Sequence, residues 1–339
     1  MKKSLIALAA VAASGAAFAQ SSVTLFGVVD TSVAYVKGNG SDNKGYGLDD
    51  NGIATSRLGF RGVEDLGNGL KAQFWLEGEV SPDDGGAAFN FKRRSSISLL
   101  GNFGEVRLGR FLTAGHDKAS SYSVFSTIGL GGFQGWAAEE VRYNNMLAYY
   151  SPNFSGFTFG VNYAFDEKAG ETISAPNSRT GRYVGLDATY ANGPLSITGA
   201  VDQAEGDKVD LDKQRSYSLA ASYDFGAFKL SGLAHQVKFS NIGLADEKFT
   251  SFALGATAPV GAAGLVKVQY AHYKFDDEKA NQLSLGYEHN LSKRTALYGT
   301  YSYLKNNEEG TFVVKNGLGV VGVADKASHG IQVGVRHSF

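Results

Sequence analysis

Cysteine is absent from this chain of 339 residues, and proline is scarce, with only five positions. Without cysteine the protein can form neither a disulfide framework nor a thiolate metal site. An excess of one charge is also lacking, and a net charge of −1 gives no support for a nucleic-acid partner. Long hydrophobic runs are missing beyond the N-terminal segment, so no transmembrane helix is predicted there. Glycine and aromatic residues, in contrast, are abundant, with 44 Gly, 22 Phe and 17 Tyr.

The N-terminal segment has the pattern of a cleavable signal peptide. Residues 2–3 are lysines, residues 5–11 are mostly apolar, and residues 17–19 give the Ala-x-Ala pattern of a signal-peptidase site. The apolar stretch is too short for a membrane anchor, and no stop-transfer pattern follows it. We therefore expect residues 1–19 to be removed on export and residues 20–339 to form one domain.

Most of the remaining chain shows the two-residue period of β-strands with one apolar and one polar face. One such stretch alternates Ala72, Phe74, Leu76 and Val80 with Lys71, Gln73, Glu77 and Glu79, and residues 23–33, 283–288 and 331–338 behave in the same way. A soluble protein rarely buries charged side chains on the inner face of a strand. A barrel with lipid outside and water inside explains the pattern directly, because only helices and closed barrels satisfy their backbone groups in lipid.

Short turns and long loops alternate along the chain. The tight turns fall at residues 65–69, 101–104, 152–156, 191–194, 224–226, 259–261 and 290–293, and longer polar stretches such as residues 37–54, 166–180 and 306–328 separate them. Short turns at one rim and long loops at the other are typical of bacterial outer-membrane barrels. Seven tight turns and eight loops predict sixteen strands, and a barrel of that size has a water-filled lumen.

One connection, residues 112–142, lacks clean strand alternation. A connection of this length in a compact fold is usually functional. In a wide barrel we expect it to fold into the lumen and narrow it.

Several stretches resemble the Gram-negative trimeric porins, most closely the beta-proteobacterial branch of anion-selective general porins. The matching stretches are residues 22–30, 56–62, 64–72, 104–110, 289–295 and 335–339, and the resemblance spans essentially the whole mature chain. It implies a 16-stranded antiparallel transmembrane β-barrel of the all-β class, whose third long loop folds inward. It also implies a homotrimer, latched by the loop at residues 81–90, in the outer membrane of a Gram-negative bacterium, surrounded by lipopolysaccharide. The implied function is passive diffusion of small hydrophilic solutes, preferentially anions, with no cofactor and no enzymatic activity.

The resemblance further implies a cluster of arginines at the constriction. The family's arginines fall on Arg57, on Arg94 and, where the inward loop returns to the wall, on Arg142. Strand parity agrees for the first two. Four other basic residues have lumen parity and would extend a basic ladder along the wall: Arg61, Lys71, Lys92 and Arg107. Four acidic residues would partly offset this charge, namely Glu77 on the wall and Asp117, Glu139 and Glu140 in the loop. The terminal Phe339, preceded by alternating apolar residues, matches the signal that the outer-membrane assembly machinery recognises in this family.

Three alternatives remain open at this point. A substrate-specific channel for phosphate or a dicarboxylate would use the same arginines and add a saturable site. A barrel enzyme would need a nucleophile and an acid–base group, but no Ser/His/Asp grouping is visible, and His116 in the predicted inward loop is the only histidine worth testing. A soluble, secreted β-protein would show the strands without a channel. The pair Asp83 and Asp84 is more simply interpreted as a solvated loop than as a metal site.

Overall fold

The computed structural model describes residues 22–86, 89–165, 181–206, 211–241, 245–314 and 318–339. The predicted signal peptide, residues 1–19, and the predicted loop at residues 166–180 lie outside the described residues. In the described part of the chain, no helix has the length and apolar character needed to cross a membrane.

The described residues form one antiparallel sheet of 17 strands. The strands are β1 Ser22–Lys37, β2 Lys44–Asp49, β3 Arg57–Gly67, β4 Leu70–Glu79, β5 Arg94–Gly101, β6 Gly104–Leu112, β7 Arg142–Tyr150, β8 Phe157–Ala164, β9 Tyr183–Asn192, β10 Leu195–Glu205, β11 Leu211–Asp224, β12 Lys229–Asn241, β13 Glu247–Val260, β14 Gly264–Phe275, β15 Glu278–Asn290, β16 Thr295–Asn306 and β17 Ala327–Ser338. From β3 onward each strand pairs with the next, and β1 pairs with β17 from Val28 opposite Ser338 to Lys37 opposite His329. This last pairing closes the sheet into a barrel.

The short strand β2 shares a wall position with β3. Both pair with the same edge of β1, β3 along its first part and β2 along its last part. The barrel therefore has sixteen wall positions, which confirms the predicted strand number.

The stretch of residues 37–54, predicted as one of the long loops, contains a short strand, because Lys44–Asp49 form β2. Glycines fill alternate positions of this strand, so the apolar and polar alternation that marks other strands is not visible in it. Tyr46 and Leu48 point outward from it and are 78% and 58% exposed.

The two faces of the wall differ as the alternation predicted. On β15, Leu283 and Leu285 are 44% and 46% exposed, whereas Gln282 and Ser284 are only 1% exposed. Apolar side chains outward and polar side chains inward are the arrangement of a barrel that lies in lipid.

The connection between β6 and β7, residues 113–141, lies against the polar face of this wall. It begins with helix α1 (Ala114–Ala119) and one turn of 3₁₀ helix (Ser120–Tyr122). Its residues are hydrogen-bonded to polar-face side chains from β9 to β17, including Tyr183, Asp202, Gln214, Gln269, Gln282 and Gln332. Leu130, Phe133 and Trp136 of this connection pack with wall residues such as Val237 and Leu304 into the larger buried cluster. The hydrophobic core thus lies between the connection and the wall.

Candidate functional site

A cavity of about 950 Å³ lies between residues 113–141 and the strand ends around β2, β3 and β4. Its lining carries three arginines, Arg57, Arg93 and Arg142, together with His116. Acidic side chains line it as well: Asp49, Asp50, Glu79, Asp83 and Glu139. Charges of both signs therefore face the same water-accessible space.

Arg57 is positioned by the register of β3. It is the first residue of that strand and stands opposite Val28 on β1 and Glu79 on β4. Directly paired residues share a face of the sheet, which places Arg57 on the polar face. Its Nη1 donates to the carbonyl oxygen of Thr55 at 2.9 Å, and its Nε lies 3.7 Å from Glu77 Oε1.

Arg93, which lines the cavity, forms an ion pair with Glu77. Nε of Arg93 donates to Glu77 Oε1 at 2.8 Å, and its Nη1 lies 3.6 Å from Glu79 Oε2. The indole Nε1 of Trp75 donates to the other oxygen of Glu77 at 3.1 Å. Nε of Arg142, the first residue of β7, donates to the carbonyl oxygen of Arg93 at 3.0 Å. Glu77 and the main chain at residue 93 thus hold all three arginines in one group.

Arg94 lies apart from this group. Its guanidinium group stands 4.5 Å from the centre of the Trp75 ring, and its Nε donates to Ser96 Oγ at 2.9 Å. It has the predicted polar-face orientation, but it does not line the cavity. The structure brings Arg57 and Arg142 together, and Arg93 is the third arginine of the cavity.

Sequence reasoning missed Arg93 because strand parity does not apply to it. Arg93 precedes β5, which begins at Arg94, so the chain has not yet adopted the alternation that points Arg94 inward. The one available signal was the run of three basic residues that ends at Arg94.

In the predicted basic ladder, the side chains of Arg61 and Arg107 stack on aromatic rings, and those of Lys71 and Lys92 do not. The Arg61 guanidinium lies 5.1 Å from the Phe26 ring, and that of Arg107 lies 4.5 Å from the Tyr150 ring. Arg107 is also paired with Glu105 at 2.8 Å. Lys71 and Lys92 are exposed, and Lys92 lies outside the strands.

The four predicted acidic residues have different surroundings. Glu77 contacts two arginines, as described above. Asp117 lies 3.3 Å from Lys118, its neighbour on α1, and Glu140 lies 3.9 Å from Arg110. Glu139 is buried against the wall, where it accepts hydrogen bonds from Gln214 at 2.9 Å and from Ser216.

No Ser/His/acid grouping is visible in the sequence, yet the structure assembles one. Ser218 Oγ on β11 lies 2.9 Å from His235 Nδ1 on β12, and His235 Nε2 lies 2.8 Å from Glu139 Oε1. The hydroxyl is not open to a substrate, because Ser218 and His235 are only 6% and 2% exposed and the backbone of Gly115 covers Ser218 Oγ. The grouping anchors residue 139 to the wall. In the described residues, no set of three His, Asp or Glu side chains is arranged to hold a metal ion.

Phe339 follows β17 and lies where β17 pairs with β1 to close the barrel. Its backbone exchanges two hydrogen bonds of 3.1 Å with Gly27 on β1. The ring covers Gly27 so closely that a Cβ atom there would clash with it. The last residue therefore helps to close the wall.

Comparisons with known proteins agree with this architecture. The sequence profile of a family described as Gram-negative porin matches residues 5–309. Outer membrane porin protein 32 of Delftia acidovorans is 54% identical, and the alignment covers 100% of both chains. An outer membrane porin of Bordetella pertussis is 34% identical over 100% of both chains. Among solved structures, the anion-selective porin from Comamonas acidovorans superposes with a TM-score of 0.86 at 51% identity, covering 94% of this chain and 100% of that one.

Proposed function

The chain belongs to the Gram-negative porin family, and on that premise we propose that its channel passes small anions in preference to cations. As a porin it is an integral outer-membrane β-barrel and a non-enzymatic, passive channel. The observation that carries the proposed selectivity is the lining of one cavity by the guanidinium groups of Arg57, Arg93 and Arg142.

In this proposal, the charges that line the cavity determine the ion selectivity, and the small negative net charge of the whole chain does not. A unit charge about 5 Å from a passing ion contributes roughly 0.8 kcal/mol even at the dielectric constant of water. Three arginines would contribute about 2 kcal/mol before screening, and low-dielectric walls strengthen the effect. Acidic residues on distant loops have little influence, because the Debye length is about 8 Å at physiological salt. The carboxylates in the same cavity reduce the preference, so the balance at the narrowest point sets the selectivity.

We also propose that residues 113–141 cross the lumen and narrow it. Helix α1 contacts β9 and β10. Farther along, Gly129 approaches Gly52 so closely that a Cβ on Gly129 would clash with the Gly52 carbonyl oxygen. Gly52 lies between β2 and β3, nearly opposite β9 and β10 in a ring of sixteen wall positions. A segment with contacts at both places supports an inward-folded loop.

The proposed assembly is a homotrimer embedded in lipopolysaccharide-containing membrane. Its support is the family resemblance and the broad apolar outer face, on which Val23 and Leu25 of β1 are 65% and 53% exposed. The loop at residues 81–90 between β4 and β5 is the proposed intersubunit contact, and Phe339 is the proposed signal for the outer-membrane assembly machinery. Native mass spectrometry in detergent tests the trimer directly.

The selectivity is tested by the reversal potential of the purified porin in a planar bilayer across a KCl gradient. The wild type should prefer chloride, and Arg142→Gln should weaken that preference. A matched control is Arg215→Gln, which removes the same charge from an exposed side chain on the outward face of β11, where Arg215 shares a face with the 41% exposed Tyr217. Cation preference in the wild type, or equal potentials for wild type and Arg142→Gln, would overturn the proposal. Saturation of the conductance by phosphate or a dicarboxylate would instead favour a substrate-specific channel.

A further inference from the structure

A second cavity, of about 300 Å³, lies at the long-loop rim of the barrel. Phe249 on β13, Phe275 on β14 and Phe312 from the connection between β16 and β17 line it, together with Gln134, Glu278 and Thr311. In a porin the long loops face the outside of the cell, so this cavity opens at the extracellular mouth. Gln134 and Ala137 line both this cavity and the arginine-lined one, so the two cavities are neighbours.

Three phenylalanines form the aromatic part of this cavity's wall. The rings of Phe249 and Phe312 are stacked, with centroids 6.3 Å apart and planes at 17°, and Phe275 meets Phe249 edge-on at 6.1 Å. Phe249 is only 3% exposed, and its ring also packs against Tyr273 at 6.5 Å. These contacts fix the rings before any solute arrives. The faces of such rings carry partial negative charge, which attracts cations.

Glu278 supplies the charged group of the cavity. Its Oε2 accepts hydrogen bonds from the backbone N–H of Thr311 at 3.1 Å and from the Thr311 hydroxyl at 2.9 Å. Both bonds use the same oxygen, and no described residue donates to Oε1. The carboxylate is therefore oriented by Thr311 and retains an acceptor for an occupant. Cavities of this size with apolar walls and a few convergent polar groups are typical of small-molecule sites.

We propose that this cavity binds a small organic ammonium ion with an aromatic or apolar body. The body would lie against Phe275 and Phe312, the partly exposed rings of the cavity, and the ammonium group would donate to Glu278. An organic anion is disfavoured, because it would meet the carboxylate of Glu278. A neutral aromatic molecule would gain the ring contacts but not the ion pair. This site binds cations, whereas the arginine-lined cavity favours anions. A bound ammonium ion is therefore held at the extracellular mouth, because the arginines repel it from the channel.

Binding can be measured without reference to ion conduction. Saturation-transfer NMR on the full-length protein in detergent would titrate benzylammonium, with benzyl alcohol, benzoate and methylammonium as comparison compounds. Benzylammonium should bind most tightly, benzyl alcohol more weakly, and benzoate and methylammonium should give no saturable signal. Because this readout is independent of the reversal potential, failure here leaves the proposed anion channel untouched.

Two variants test the two parts of the site. Phe312→Ala removes a ring face, and Glu278→Gln removes the charge while keeping an oxygen that accepts from Thr311. Each should weaken benzylammonium binding by about fivefold or more. Glu247→Gln, at an exposed carboxylate at the start of β13 that does not line the cavity, should leave it unchanged. Equal binding of benzoate and benzylammonium, or unchanged binding in Glu278→Gln, would overturn the proposal.

Discussion

The side chain of Arg142 is bonded to the main chain of Arg93, its Nε donating to the carbonyl oxygen at 3.0 Å. This bond ties the beginning of β7 to the beginning of β5, two wall positions away. Two like charges are thereby held close together, while Glu77 binds the guanidinium group of Arg93 at 2.8 Å. The three arginines repel one another. The hydrogen bond to the main chain of residue 93 and the carboxylate of Glu77 hold them together.

Arg93→Gln should reduce chloride preference more than Arg94→Gln does. Removing a unit charge about 5 Å from the ion path changes the free energy of a passing chloride by roughly 0.8 kcal/mol, or about fourfold in the permeability of that ion. Arg93 lines the cavity, whereas Arg94 is stacked on Trp75 and does not. Reversal potentials of the two variants, which carry the same net charge, make the comparison. A larger effect of Arg94→Gln would show that Arg94, as the family resemblance implies, and not Arg93 is the third arginine that sets the selectivity.

Glu77→Gln should increase chloride preference and lower the thermal stability of the protein. The substitution removes a negative charge that lies 2.8 Å from Arg93 and 3.7 Å from Arg57. Because a buried hydrogen-bonded carboxylate is replaced, the free energy of unfolding should fall by about 1–3 kcal/mol. Reversal potential and thermal unfolding in detergent measure the two effects.

Glu79→Gln is the control for this variant. Its side chain is 51% exposed and lies 3.6 Å from Arg93 Nη1, and exposed pairs contribute little to stability. It should shift the reversal potential in the same direction but leave the melting temperature nearly unchanged. Equal destabilisation by both substitutions would argue against a structural role for Glu77.

The barrel was predictable from the sequence because its signals are local. Alternation along β15 and the Asn- or Gly-containing turns depend only on neighbouring residues, and together they gave the correct number of wall positions. Strand β2 was missed for a local reason too, since its glycines provide no side chains to alternate. Strands can therefore be predicted from local sequence wherever their side chains distinguish the face toward lipid from the face toward water.

The site was less predictable for two reasons. It depends on contacts between residues far apart in the sequence, and it depends on whether β5 begins at Arg93 or at Arg94. Parity correctly turned Arg94 to the polar face, but it could not treat Arg93, which comes before the strand begins. The grouping of Glu139, Ser218 and His235 joins the long connection to two strands of the wall. No spacing in the sequence encodes such a contact, because it forms only when the connection packs against the wall.

Tyr183→Phe should loosen the start of residues 113–141. The Tyr183 hydroxyl accepts from the backbone N–H of Ala114 at 2.7 Å and donates to Asp202, which also accepts from the N–H of Gly115 at 3.0 Å. Loss of a buried partner of this kind costs about 1–3 kcal/mol. Hydrogen exchange at the amides of Ala114 and Gly115 should accelerate accordingly.

Tyr149→Phe provides the matched control for that variant. It also removes one hydroxyl hydrogen bond, to the carbonyl oxygen of Phe103 at 2.7 Å, but this bond is exposed and lies at a short turn. Exchange at Ala114 and Gly115 should therefore stay at the wild-type rate. If both variants leave these amides unchanged, Tyr183 does not anchor the connection.

His116 should contribute charge to the channel only in acid. Burial, and secondly the positive charge of Arg142, lower the pKa of His116 to about 4, with Asp117 opposing and His235 and Arg93 adding to the shift. The ring is therefore neutral at pH 7 and gains a proton only as the pH approaches 4. His116→Phe keeps an aromatic ring at the position where His116 meets Trp136 edge-on at 5.2 Å, and it cannot be protonated. The reversal potentials of wild type and variant should coincide at pH 7, and at pH 4 the wild type should show the stronger chloride preference.

The same shift predicts how stability depends on pH. Because the folded-state pKa of about 4 lies below the unfolded value of about 6.5, the unfolded chain binds more protons between these two values. The free energy of unfolding of the wild type should therefore fall as the pH is lowered through this interval, and His116→Phe should lack that component. Thermal unfolding of both proteins at pH 7 and pH 4.5 isolates the contribution of His116, since every other titrating group is common to the two. A wild type that loses no more stability than the variant would place His116 in contact with solvent or with a carboxylate, in contradiction to its buried position beside Arg142.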